Sequence, residues 1–191
     1  MSLRDYRPGD PLKRIHWRSW ARTGRPVVRE YQDEFFVRHG LVLDTFAASA
    51  TPAFEEAVSV AASFACTVGT QESLLDLLFV GPQAHCVTAG RGVGHVDRLL
   101  EILAAVRPCR DHGFESLTRL VLQREAGLSG AIFVLLGFDD ARRELVRRAR
   151  ALGVPTLVLV VTEPGITLDR ASAHDVHHLV AGRIAEGLAE L

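Results

Sequence analysis

The sequence predicts a three-layer α/β domain on a mostly parallel sheet. Two continuous apolar runs, Ile132 to Leu136 and Thr156 to Val161, have the pattern of strands covered on both faces. Between them and before them, apolar residues recur at helical spacing, so strands alternate with helices, and right-handed crossovers then give a parallel sheet. The chain has 191 residues, 48% of them apolar and 24% charged, with a formal net charge of −1. That composition supports one sizeable core and excludes a disordered, collagen-like or globally nucleic-acid-charged chain.

The elements follow in order. Pro8-Gly9 is a turn, and Asp10-Pro11 reads as a cap with proline at the first helical position, so a short helix is predicted over Pro11 to Arg22, stopped by Thr23-Gly24. Pro26 to His39 mixes β-branched and aromatic residues with charges, an extended and partly exposed strand feeding the buried Leu41-Val42-Leu43-Asp44. Behind Thr51-Pro52, residues Phe54, Ala57, Val58, Ala61, Ala62, Ala65 and Val68 share one helical face up to Gly69. Leu74 to Val80 is a strand, and His85 to Thr88 a shorter one beyond the Gly81-Pro82 turn. Val93 to Val106 is an amphipathic helix ended by Pro108, and Phe114 to Val121 another. Arg142 to Leu152 is the helix between the two apolar runs. In the tail, Ile166 to Leu168 is expected to form a last short strand and Val180 to Leu191 a closing helix interrupted by glycines.

Charge is uneven. Residues 1–29 hold eight Lys/Arg and two Asp/Glu, a net of +6, while residues 30–191 carry a net of −7. A basic segment ahead of an acidic globule can grip its own body, a partner protein or an anionic polymer, and charge does not choose among them. The uncharged stretch Ala57 to Gln71 has fifteen residues and includes several polar ones, short of the roughly 20 apolar residues of a membrane span. Cys66, Cys86 and Cys109 are an odd, widely spaced set, which fits a reducing, cytoplasm-like compartment.

The first block, LRDYRPGDPLKRIHWRSWARTGRPVVREYQDE, is more particular than a surface helix. It resembles the signature of the bacterial domain-of-unknown-function 58 family at Tyr6, Gly9, Asp10, Arg14, Ile15, Trp17, Ala21, Arg22, Arg29, Glu30 and Glu34, with Trp20 standing where a smaller residue is expected. From the residues themselves, Arg14 or Arg22 is suited to a bidentate clamp on an Asp or Glu of the domain body, and Trp17 to burial of a large apolar area. The resemblance implies residues 1–34 as a signature extension and 35–191 as a von Willebrand factor A-like domain with a doubly wound sheet. It also implies a partner, a MoxR-type AAA+ ATPase encoded nearby, and membrane helices upstream. The abrupt start of informative sequence at Arg4 leads us to expect such an upstream region and a full-length protein in the cell membrane.

In that fold the first strand ends in an Asp-x-Ser-x-Ser metal motif, and the matching stretch here is Asp44-Thr45-Phe46-Ala47-Ala48. Phe46 and Ala48 stand at both hydroxyl positions, and neither offers an oxygen to a hard cation. Thr45, Ser49 and Asp139 or Asp140 are the residues available to substitute, and Asp139 has a second reading as a helix cap. The expectation is a degenerate site with no metal and no cofactor. Other constellations are weaker. Gly90-Arg91-Gly92-Val93-Gly94 precedes a helix but is neither a dinucleotide fingerprint nor a P-loop. His174-Asp175-Val176-His177-His178 has no second ligand cluster and reads as an exposed polar connection. Cys109 lies beyond a helix C-terminus, where the dipole opposes a thiolate. The arginines from Arg142 to Arg150 read as a solvated helix face, with Glu144 paired to Arg148.

Together these features point to a non-catalytic protein-interaction module. Its rim is formed by Asp44, Thr45, Ser49, Asp139 and Asp140, and the Asp10 to Arg22 segment locks or extends it. Two alternatives remain open: a metal- or nucleotide-dependent enzyme using the strand-end crevice, and an anionic-polymer binder using the basic N-terminal segment.

Overall fold

Successive residues of the inner strands point to opposite faces of one sheet, and both faces are covered, which is why those runs carry no polar side. The computed structural model describes residues 2–30, 37–68, 73–90, 93–124, 127–168 and 175–189, in two units, Met1–Phe35 and Phe36–Leu191.

In the first unit, β1 (Ser2–Asp5) pairs antiparallel with β2 (Val27–Glu30). The chain between them turns at Gly9, whose φ of 105° favours glycine, passes a 3-10 turn at Leu12–Arg14 and forms α1 (Trp17–Thr23), closed by a left-handed Gly24. The single helix predicted from Pro11 is therefore corrected. Ile15 is extended and buried, and it bridges Val28, so this contact interrupts the helix. Helix α1 starts beyond it under His16, whose Nδ1 accepts from the Ser19 amide at 3.3 Å.

Asp10 is not a helix cap either. Its carboxylate takes a bidentate pair from Arg4 at 2.8 Å per bond and the Arg7 amide at 2.8 Å, contacts that hold its pKa down to about 2. The bidentate clamp seen in this unit is internal to it and is made by Arg4, whereas Arg14 and Arg22 are exposed. Trp17 is 62% exposed instead of buried and stacks on Trp20 with centroids 5.3 Å apart. Tyr6 is half-buried, its amide donating to the Pro26 carbonyl, and Arg29 is exposed on β2 next to Glu30. Glu34 lies outside the described residues.

The second unit runs β3 (Val37–Leu43), α2 (Pro52–Val68), β4 (Ser73–Val80), β5 (Ala84–Ala89), α3 (Val93–Ala105), α4 (Glu115–Arg124), β6 (Gly130–Leu135), α5 (Asp140–Ala151), β7 (Thr156–Thr162), β8 (His177–Val180) and α6 (Ile184–Leu188). Among the described residues the sheet order is β5-β4-β3-β6-β7-β8, parallel except for the β4-β5 hairpin. Helices α2 and α3 pack with Leu41, Leu43, Leu77 and Val134 on one face, whereas α4 and α5 pack with Val42, Leu78, Phe133 and Leu135 on the other. This is the three-layer, doubly wound arrangement that the sequence predicts.

The tail departs from expectation. Ile166 to Leu168 is irregular because the chain turns at Pro164-Gly165, and the last strand is His177–Val180, pairing with β7. His177 and His178 therefore belong to a half-buried strand, not an exposed connection, while His174 lies outside the described residues. The closing helix is only Ile184–Leu188, beginning after a left-handed Gly182. Arg91 and Gly92 of the glycine-rich turn also lie outside the described residues.

His178 Nε2 sits 2.8 Å from the Thr162 hydroxyl, and burial lowers its pKa below the ordinary imidazole value. A base kept neutral by the fold stabilises it above that ordinary value and loses the contribution as pH falls through it. Acidification from pH about 7.5 to about 5.5 is therefore expected to lower the melting temperature more in wild type than in His178→Gln, because the imidazole pKa of about 6.5 lies within that window. Paired thermal melts across the range check this.

Candidate functional site

From β3 the chain leaves through α2 on one face of the sheet, and from β6 it leaves through α5 on the other. The connections diverge between these neighbouring strands, the switch point at which open α/β sheets form a crevice at the carboxyl ends. Asp44 sits there, one residue past β3, its amide continuing the ladder to the Val134 carbonyl at 2.9 Å. It is 0% exposed.

A carboxylate buried that deeply needs donors. Oδ1 accepts from the Phe46 amide at 2.9 Å, which folds the loop back over the aspartate. Oδ2 accepts from the Leu136 amide at 3.0 Å and from Arg142 Nε at 2.6 Å. Arg142 comes from the first turn of α5. Its Nη1 donates to Asp139 Oδ2 at 2.6 Å and its Nη2 to the Phe46 carbonyl at 3.4 Å, while its Cζ lies 4.9 Å from the centre of the Phe114 ring. Burial works against the charge on this guanidinium, yet Asp44 and Asp139 outweigh it and move its pKa upward.

Asp139 has the cap role: its Oδ1 accepts from the Arg142 amide at 3.0 Å. Asp139 thus starts the helix and steers the arginine that reaches Asp44. Phe46 meets Phe114 edge to face at 5.4 Å.

Thr45 is also fully buried. Its hydroxyl donates to the Val80 carbonyl at 2.5 Å, and its carbonyl accepts from the Cys109 amide at 2.7 Å. Cys109 is buried too, with Sγ 3.5 Å from the Gly81 carbonyl, and serves packing. Thr45 therefore ties the ends of β3 and β4 to the loop before α4. It contributes no group to the surface.

The structure thus divides the five predicted rim residues. Asp44 and Thr45 are internal fasteners, which corrects their reading as contact residues. Ser49, Asp139 and Asp140 are exposed and form the accessible edge. Sequence reasoning missed Arg142 and Phe114. It placed Arg142 on a solvated face with its neighbours, and those neighbours do behave that way: Arg143 pairs with Asp140, Arg147 and Arg148 share Glu144, and Arg150 pairs with the exposed Asp175. Beside Phe114 a cleft of about 590 Å³ opens between α4 and α5, lined by Thr118, Leu122, Arg119 and Arg148 among others.

The residues present do not fit a divalent cation. Three N–H donors already occupy Asp44, Thr45 turns its hydroxyl to Val80, Phe46 and Ala48 have no side-chain oxygen, and Arg142 lies between Asp44 and Asp139. A positive charge and a metal ion compete for the same oxygens.

Comparison with known proteins agrees with the fold. The family model described as "Protein of unknown function DUF58" matches residues 2–164. The chain is 29% identical over 103 residues to Uncharacterized protein YeaD of Bacillus subtilis (strain 168), covering 54% of this chain and 25% of that protein, so it spans about a quarter of that relative's length. Among solved structures, manganese-loaded TRAP protein of Plasmodium vivax superposes with a TM-score of 0.54 at 12% identity, covering 81% of this chain and 71% of that one. An aerotolerance-related membrane protein from Bacteroides fragilis NCTC 9343 gives 0.45 at 10% identity, covering 71% and 78%, a superposition too loose to argue from.

Replacing Asp139 by alanine removes the cap of α5 and one partner of Arg142. The expected cost is about 1–2 kcal/mol, read as a lower urea midpoint with an unchanged slope.

Proposed function

The chain belongs to the domain-of-unknown-function 58 family, and from that premise we propose that it is a non-catalytic protein-docking module of the von Willebrand factor A-like class. Its docking surface is the strand-end rim. The observation that carries this reading is the fully buried Asp44: its oxygens accept three N–H bonds from the fold itself, leaving them engaged and withdrawn from a substrate or an ion. What the rim offers outward is a mixed surface of Ser49, Asp139 and Asp140 beside the half-buried pair Phe46 and Phe114. Polar edges around aromatic centres suit protein recognition. In this reading the metal site is degenerate.

The partner we propose is a MoxR-type AAA+ ATPase, as the family resemblance implies. Membrane helices elsewhere in the intact protein would hold the module near the bilayer. No helix among the described residues is long and apolar enough to cross a membrane. The Asp10 to Arg22 segment supplies a second contact area. There the exposed Trp17, stacked on Trp20 beside exposed Arg14, Arg18 and Arg22, also favours a second reading, binding of an anionic polymer.

Two binding experiments decide. Immobilised chain is expected to capture the purified neighbouring ATPase saturably, with the affinity at least about tenfold weaker in a Ser49→Arg/Asp140→Lys variant that melts like wild type. Equal capture by that variant, or none by wild type, sinks the rim assignment. Nonspecific DNA binding that falls steeply with salt and is lost in Trp17→Ala/Arg18→Ala would establish the second reading instead, since phosphate contacts release counterions.

A further inference from the structure

We propose that the Arg142 guanidinium is the built-in cation of the strand-end rim, neutralising at Asp44 the charge that the family's metal motif neutralises with a divalent ion. The inference concerns the counter-charge of Asp44 alone and stands whether or not the rim docks a partner.

Three observations carry it. The first is geometric. Asp44 is fully buried, and among the described residues the cationic group paired with it is Arg142 at 2.6 Å, itself mostly withdrawn from solvent with a side chain 12% exposed. A guanidinium is suited to this place because its planar fork reaches three acceptors in different directions: Asp44 Oδ2 through Nε, Asp139 Oδ2 through Nη1 and the Phe46 carbonyl through Nη2. Its face lies against Phe114, where a strongly hydrated ammonium would fit poorly.

The second observation is that Arg142 opposes its own helix. It is the third residue of the twelve-residue α5, where the positive end of the helix dipole disfavours a cation. Arg148 and Arg150 in the last turn sit where a helix welcomes positive charge, and Arg142 does not. Its position is therefore set by the carboxylates it meets.

The third is the correlated loss of oxygen. The two positions of the motif that would bring hydroxyls to an ion hold Phe46 and Ala48, and Phe46 contributes its backbone N–H to Asp44 and its carbonyl to Arg142. Phe46 thus takes part in the arginine arrangement, and its side chain offers no oxygen to an ion. The rim consequently has one fixed charge state, and divalent metal cannot switch it.

The test uses the 191-residue chain, its melting temperature followed with and without millimolar MgCl₂ or MnCl₂. Wild type is expected to show no Asp44-dependent response to either metal. Arg142→Gln strands a buried carboxylate and should melt about 10 °C lower. Asp44→Asn/Arg142→Gln should lose clearly less than the sum of the two single losses, since the second change removes the stranded charge. Phe46→Ser/Ala48→Ser/Arg142→Gln restores two hydroxyls and vacates the oxygens, and should gain a saturable metal-dependent rise of several degrees that a further Asp44→Asn abolishes. A wild-type metal response abolished by Asp44→Asn, additive single losses, or no metal response in the triple variant each overturns the proposal. Where Arg142→Gln gives no folded protein, Asp44→Asn/Arg142→Gln decides: it folds if Arg142 serves to neutralise Asp44, and its failure to fold overturns the assignment.

Discussion

A negative charge with no access to water lies where the two halves of the sheet diverge, and the local architecture is arranged to satisfy it. Asp44 draws the Phe46 amide back over itself, brings the loop after β6 in through Leu136 and pulls Arg142 inward from α5. Breaking such a buried pair by removing one partner costs on the order of 3–5 kcal/mol, more than a typical surface ion pair contributes. One carboxylate therefore fixes two loops and the start of a helix. At this strand end the carboxylate is engaged by the protein's own N–H groups.

The opposite end of β3 repeats the device. Asp76 on β4 is buried and held by Arg38 of β3, Nε to Oδ2 at 2.8 Å, with the Thr88 hydroxyl donating to Oδ1 at 2.6 Å. Arg38 pins β3 against β4 and β5 near the strand start, and Arg142 ties the strand end to α5. Between these anchors the sheet is apolar on both faces. The Arg38–Asp76 pair links β3 to β4 and the Arg142–Asp44 pair links β3 to α5, directional contacts added to a hydrophobic burial that is itself non-directional.

The N-terminal unit follows the same logic on a smaller scale. Arg4 clamps Asp10 and stabilises the turn at Gly9, while Ile15 and Val28 supply the buried contact. The prominent residue of the signature, Trp17, is left outside in a stack with Trp20. A short segment with a small core leaves much of its aromatic surface exposed.

Periodicity was enough to locate most of the elements of the second unit, because Ile132 to Leu135 of β6 and Leu157 to Val161 of β7 are apolar without a break and the apolar residues of α2 and α3 recur at helical spacing. The family signature was readable as well, and so was the absence of hydroxyls at Phe46 and Ala48. Local pattern failed where a residue's fate depends on something distant in the chain. Ile15 ends a helix because Val28 waits across the turn, and β8 lies at His177–Val180 because β7 is there to pair with it. Arg142 looks like its four neighbouring arginines in sequence and differs from them only because Asp44, 98 positions away, needs its charge. Hydrophobic period is a short-range property of the chain. The choice of counter-ion for a buried carboxylate is settled by three-dimensional proximity, which tertiary structure alone determines.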